Sequence, residues 1–241
     1  MSQPRRMFIT AAAVFAVALG LQTAACAAAQ KPDALTDPSM KGAEVVAFIG
    51  VKPDDSIADI VSGSFTRALS QTVGPRGKVY AVEPSEIVKD SPEAATRIKT
   101  LASDPAYANV VLITAPIDSP ALPPGLDAVF IRWSYHDLYT RFIGPADVSQ
   151  FNRNVFAALK PGGVYVVLDH AAAAGSGLRD TNTLHRIDGE AVKKEALAAG
   201  FVLDGESQIL ANPADNHSKI VTDRAIRGKT DQLLLRFRKP R

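Results

Sequence analysis

Short β-branched runs alternate with amphipathic segments along most of this chain, a pattern that predicts a doubly wound α/β domain with a mostly parallel sheet. Asp37-Pro38 opens a first helix over residues 37–48, and Gly50 closes it. Residues 57–61 read as the first strand, residues 65–72 as a helix, and Gly74-Pro75-Arg76-Gly77 as a break. Residues 78–82 form the second strand, ending in Glu83-Pro84, and a helix over 92–102 leads to a third strand over 110–114. Residues 127–133 are almost continuously apolar, as expected for a strand covered on both faces. Asp147 caps a helix that ends in Lys160-Pro161-Gly162-Gly163, a type II turn feeding a fifth strand over 164–168. A helix over 190–199 stopped by Gly200, a strand over 201–210, a polar excursion over 212–229 and a last strand over 232–237 complete the pattern.

The first 29 residues stand outside it and read as an export signal: Arg5-Arg6, a short apolar stretch, then small residues with several A-x-A cleavage choices. An uncleaved N-terminal anchor is the alternative. Arg5-Arg6-Met7-Phe8-Ile9 resembles a twin-arginine signal, which points to the periplasm or cell envelope. Cys26 after Thr23-Ala24-Ala25 resembles a lipoprotein box and would make that cysteine a lipid anchor. Residues 30–241 then form one domain.

Removing this leader changes the composition. The whole chain has 241 residues, 46% of them hydrophobic, and carries +2; without Arg5 and Arg6 it holds 25 basic against 25 acidic residues. The single Cys excludes a disulfide framework and any Cys-rich zinc module. The neutral charge gives no case for nucleic-acid binding. The basic C-terminal segment from Arg224 to Arg241 reads as a final strand with solvated faces, its core side supplied by Leu233, Leu234, Leu235 and Phe237.

Several motifs carry a resemblance. Residues 74–81, Asp127-Ala128-Val129-Phe130 and Leu159-Lys160-Pro161-Gly162-Gly163-Val164, in this order, resemble the class I S-adenosylmethionine-dependent methyltransferases over residues 35–240. Trp133-Ser134-Tyr135-His136-Asp137-Leu138, Leu168-Asp169-His170, residues 183–188 and Arg227-Gly228-Lys229-Thr230-Asp231 resemble a narrower group of predicted methyltransferases with export signals. The resemblance implies a Rossmann-like, seven-stranded sheet whose last strand is antiparallel, S-adenosylmethionine as cofactor, and methyl transfer to a small-molecule acceptor.

In such sheets ligands bind beyond the carboxyl ends of the strands. The cofactor-side candidates are Asp59, Ser62, Gly63 and Ser64 at the first turn, Glu83 for the ribose hydroxyls, Asp118 for the adenine, and Trp133. A solvated strand end is the lesser alternative for Glu83, whereas Asp118 could equally be a plain turn residue. The turn departs from the family's glycine pattern: only Gly63 matches, while Val61 and Phe65 stand where outer glycines belong. Val61 resists a positive φ, and Phe65 adds bulk against a cofactor.

On the acceptor side stand Tyr135, His136, His170 and His185, with Asp137 or Asp169 to orient an imidazole. These histidines and aspartates also offer nitrogen and oxygen ligands, but their spacing matches no helix-based ligand motif, so no metal site is assigned. Export adds a tension, because the implied donor is a cytoplasmic metabolite and one preloaded molecule supports one turnover. That tension and the altered turn favour a second reading, an exported ligand-binding protein on a degenerate methyltransferase fold. A metal-assisted hydrolase is the third.

Overall fold

In a computed structural model of the chain, residues 32–241 are described, and they form one compact unit. The leader read over residues 1–29, with Arg5, Arg6 and Cys26, lies outside the described residues. Seven strands run β1 (Ser56–Ile60), β2 (Lys78–Pro84), β3 (Val110–Ala115), β4 (Leu126–Arg132), β5 (Leu159–His170), β6 (Val202–Glu206) and β7 (Gln232–Arg238). Their order across the sheet is β3-β2-β1-β4-β5-β7-β6. β1 to β5 pair in parallel, and β7 inserts antiparallel between β5 and β6. The expected mixed sheet with its antiparallel last strand is therefore present.

Helices α1 (Gly42–Ile49) and α2 (Thr66–Val73) cover one face of the sheet. The other face is covered by α3 (Ser85–Asp90), α5 (Val148–Ala158) and α7 (Gly189–Ala198), while α4 (Glu93–Ala102) sends Ala94 to this face and Ile98 to the first. A four-residue α6 (Thr181–Leu184) lies beyond β5. The apolar run of β4 follows from this double cover: Val129 and Ile131 join the core under α5 and α7, Ala128 and Phe130 the core under α1 and α2. Capping follows sequence chemistry, since Asp147 accepts from the Gln150 amide and Asp188 from the Glu190 amide.

Four boundaries differ from expectation, the first being Lys160-Pro161-Gly162-Gly163, which lies inside β5 at a register shift against β4 rather than in a turn before the strand. The first helix is broken into a 3-10 turn (Pro38–Met40), capped by Asp37, and α1, with Lys41 left-handed between them at φ 44°. Close packing follows at Gly42, where a Cβ would stand 2.1 Å from the Ala34 carbonyl oxygen. α3 had no periodic signal and follows Pro84 directly. The sixth strand stops at Glu206, four residues short, after a register shift between Leu203 and Gly205 at the edge of the sheet.

At the β1–β2 corner, a Cβ on Gly77 would lie 2.6 Å from the Val73 carbonyl oxygen and 2.7 Å from that of Asp55. Both obstacles are backbone, so Gly77→Ala is expected to destabilise the fold by about 1–3 kcal/mol in equilibrium unfolding. A loss below about 0.5 kcal/mol would mean the corner relaxes freely. Among the described residues no helix is long and apolar enough to cross a membrane.

Candidate active site at the strand ends

The strand order reverses between β1 and β4, and charged side chains collect there at the carboxyl ends of the strands. Alternation along each strand decides which face they take. Asp59 shares its parity with Ile57, Glu83 with Val79 and Ala81, and Arg132 with Ala128 and Phe130, so all three lie on the α1–α2 side.

Asp59 is buried and accepts from the Thr66 hydroxyl at 2.6 Å; that hydroxyl in turn accepts from the Gly63 amide at 2.8 Å. Burial, reinforced by the negative charge of Glu83 and opposed by the Thr66 hydrogen bond, raises the Asp59 pKa to about 7. Glu83 is 2% exposed, and the Ser62 hydroxyl donates to it at 2.5 Å. Burial also raises the Glu83 pKa, against that hydrogen bond and the charge of Arg97. Ser64 is half-buried, and its carbonyl accepts from the Ala34 amide at 2.8 Å, which ties residues 32–40 across the turn.

The altered turn keeps its left-handed shape. Val61 takes φ 54°, contrary to expectation, and its amide donates to the Val82 carbonyl. Gly63 takes φ 133° with open space where a side chain would stand. Phe65 is not an obstacle: it is 1% exposed and packs edge-on against Phe130 in the core. A β-branched residue at positive φ is a strained feature, of the kind that persists where surrounding structure over-determines it.

Arg132 escaped the sequence reading because it ends an apolar run. Its guanidinium lies 3.3 Å from the Trp133 ring centroid, and its Nε is buried without a hydrogen-bond partner. Burial lowers its pKa to about 10 against the charges of Asp59, Asp169 and Asp37, so it remains cationic at neutral pH. A cavity of about 60 Å³ adjoins it, lined in part by Asp37, Ser39, Trp133 and Gln232.

The histidines form a second group beside the first. Asp169, fully buried, accepts from the His136 amide at 2.7 Å and pairs with His136 Nδ1 at 2.8 Å. Burial would lower the His136 pKa, but the carboxylates of Asp169 and Asp137 outweigh it and push it up to about 10. His136 Nε2 stands 3.2 Å from His185 Nδ1 and 3.2 Å from Asp137 Oδ1. His170 stacks on Trp133, bonds Thr230 Oγ1 at 2.8 Å, and is held neutral by burial, its pKa lowered to about 3. Trp133, itself at φ 54°, donates from Nε1 to Gln232 at 2.8 Å.

Two expected residues stand apart from these groups. Tyr135 is fully buried, and its hydroxyl donates to Glu195 at 2.7 Å and accepts from Asn152 at 2.8 Å. It therefore faces α5 and α7 rather than the imidazoles, because it precedes the turn that aims His136 at Asp169. Asp118 is half-buried past the end of β3, where its carbonyl accepts from Asn154. Three C-terminal cations are also committed: Arg236 and Arg238 both pair with Asp204, and Lys239 donates to the carbonyls of Phe156 and Leu159.

Solved structures place this arrangement in context. The chain superposes on a SAM-dependent methyltransferase from Aquifex aeolicus with a TM-score of 0.60 and 18% identity, over 85% of this chain and 94% of that one. The fold is that of the class I S-adenosylmethionine-dependent methyltransferases. The glycopeptide N-methyltransferase MtfA, solved with sinefungin, shares the methyltransferase fold at a TM-score of 0.60 and 15% identity, over 88% of each chain. A precorrin-6y C5,15-methyltransferase from Geobacter metallireducens matches at 0.50 and 17% identity, over 82% of this chain and 88% of that one. Neither a protein-family model nor a curated protein matches the sequence.

Proposed function

We propose that this methyltransferase fold binds S-adenosylmethionine and transfers its methyl group to a small-molecule acceptor, in the periplasm or cell envelope to which the leader directs it. The observation that carries this reading is the convergence of Asp59, Glu83 and Arg132 at the ends of β1, β2 and β4, beside open space over Gly63. Buried carboxylates and a half-buried cation suit a ligand bearing ribose hydroxyls, an ammonium and a carboxylate. Glu83 accepts the ribose hydroxyls in place of Ser62. Arg132, whose Nε lacks a partner, takes the carboxylate, and Asp59 faces the positive end. Asp118 remains assigned to the adenine, and Ser62, Ser64 and Trp133 to the walls.

The bound donor supplies an electrophilic methyl on a sulfonium, so the protein's task is alignment plus removal of an acceptor proton. His136 and His170 are committed at Nδ1 to Asp169 and Thr230. His185, with a side chain 35% exposed, is the reachable imidazole on the acceptor side.

Titration of the protein with S-adenosylmethionine and S-adenosylhomocysteine tests the reading. Glu83→Ala is expected to weaken both by about 10- to 100-fold, the range for a hydrogen bond to a charged group. Unchanged affinity removes Glu83 from the pocket, and no binding at about 1 mM rejects the donor. One observation favours the degenerate, ligand-binding reading instead: the cavity of about 60 Å³ beside Arg132 is small, where ligand sites typically span about 300–1,000 Å³. The same titration separates the two.

A further inference from the structure

We propose that His136 Nε2, Asp137 Oδ1 and His185 Nδ1 bind one divalent first-row transition ion, of the Zn²⁺ or Fe²⁺ class. The three atoms form a near-equilateral triangle with sides of 3.2, 3.2 and 3.4 Å. Ligands bonded at about 2.1 Å stand roughly 3.4 Å apart in a tetrahedron and roughly 3.0 Å apart in an octahedron. The triangle lies between these values, so the spacing of the three atoms matches that of ligands on one ion.

The chemistry of the donors agrees with their spacing. Asp169 Oδ1 lies 2.8 Å from His136 Nδ1, which keeps a proton on that nitrogen, so an ion binds at Nε2 by displacing the proton that would otherwise sit there. A carboxylate behind a ligating imidazole is the usual support of a histidine–metal bond. Asp137 Oδ1 accepts from the Thr140 hydroxyl at 3.2 Å, which fixes the second ligand. Three electron-rich atoms then face one point, and one proton there cannot serve them all.

Backbone geometry aims the third ligand. His185 sits in the left-handed region at φ 55°, at the end of α6, and its neighbour Arg186 is fully buried and anchored. His136 and Asp137 are buried, while His185 is open to solvent. An ion can therefore enter from solvent and keep coordination positions free for water or a substrate oxygen. Two imidazoles with one carboxylate favour a transition ion over Mg²⁺ or Ca²⁺, which take oxygen ligands. The site needs no methyl donor and stands or falls independently of it.

Calorimetric titration of the metal-stripped full chain with Zn²⁺, in the absence of donor, tests the assignment. One ion per chain is expected, and His185→Ala is expected to lower the affinity by at least about tenfold. That change removes a partly exposed side chain and leaves the buried pair of His136 and Asp169 intact. His217→Ala, which alters a histidine paired with Asp231, is expected to keep the affinity. No saturable binding by about 1 mM Zn²⁺, equal affinity in His185→Ala, or equal binding of Mg²⁺ would overturn the proposal.

Discussion

Replacing Arg186 with Met is expected to destabilise the fold by about 3–5 kcal/mol, the usual cost of removing one partner from a buried ion pair. Arg186 is fully buried, and its NH1 lies 2.8 Å from Asp215 Oδ2. Its Nε donates to the Lys219 carbonyl at 3.0 Å and NH1 to the Ala171 carbonyl at 2.9 Å. The substitution leaves the buried Asp215 carboxylate without its cation, held only by the Asp231 and His217 amides, and takes this donor from the Ala171 and Lys219 carbonyls. Burial alone would raise the Asp215 pKa, but the Asp231 amide and Arg186 outweigh it and hold it below the usual carboxylate range. The pair joins the end of β5 to the polar excursion and sits beside His185. Urea unfolding of Arg186→Met measures the loss; a value under about 1 kcal/mol would show that Asp215 finds water instead. Zinc affinity should fall with it, because the backbone that aims His185 loses its anchor.

That pair also shows where sequence reading ends. The parallel strands were legible because runs such as residues 127–133 have one explanation, cover on both faces, and because Asp147 and Gly200 punctuate them, whereas Lys160–Gly163, read as a turn, is a bulged start of β5. The mixed order of the sheet followed from the family resemblance. The partners Arg186 and Asp215 lie 29 positions apart, and His136 and His185 lie 49 apart. Periodicity assigns a side chain to a face but says nothing about which distant loop returns to meet it. Arg132 was hidden for a related reason: in an apolar run the eye counts hydrophobes, and a cation closing the strand looks like its exposed end. Tyr135 misled in the opposite sense, since adjacency to His136 says nothing of direction once the chain turns. At Val61 propensity was overridden: it holds a positive φ with its amide bonded to the Val82 carbonyl of β2.

The strain at this turn is electrostatic as well as conformational, and it makes the second large prediction. Asp59 has a folded pKa of about 7 and an unfolded value of about 4. A carboxyl whose pKa is raised on folding binds its proton more tightly in the folded state. Its contribution is therefore fully present below about pH 4 and is lost as pH rises through about 7. The accumulated loss approaches about 4 kcal/mol above that range. Asp59→Asn keeps an acceptor for the Thr66 hydroxyl and removes the charge. Its stability relative to the parent is expected to grow by about 2–3 kcal/mol between pH 5 and pH 8, measured by urea unfolding at both. Titrating groups not coupled to Asp59, His136 among them, are common to both proteins and cancel in this difference, while loss of the Asp59 charge also eases ionisation of the neighbouring Glu83. A difference that stays constant with pH would show that Asp59 ionises normally. If it does grow, the fold holds a destabilised anion at the switch point, and a cationic ligand placed there relieves it. S-adenosylmethionine should then bind more tightly at pH 8 than at pH 5 in the parent, and this gain should vanish in Asp59→Asn.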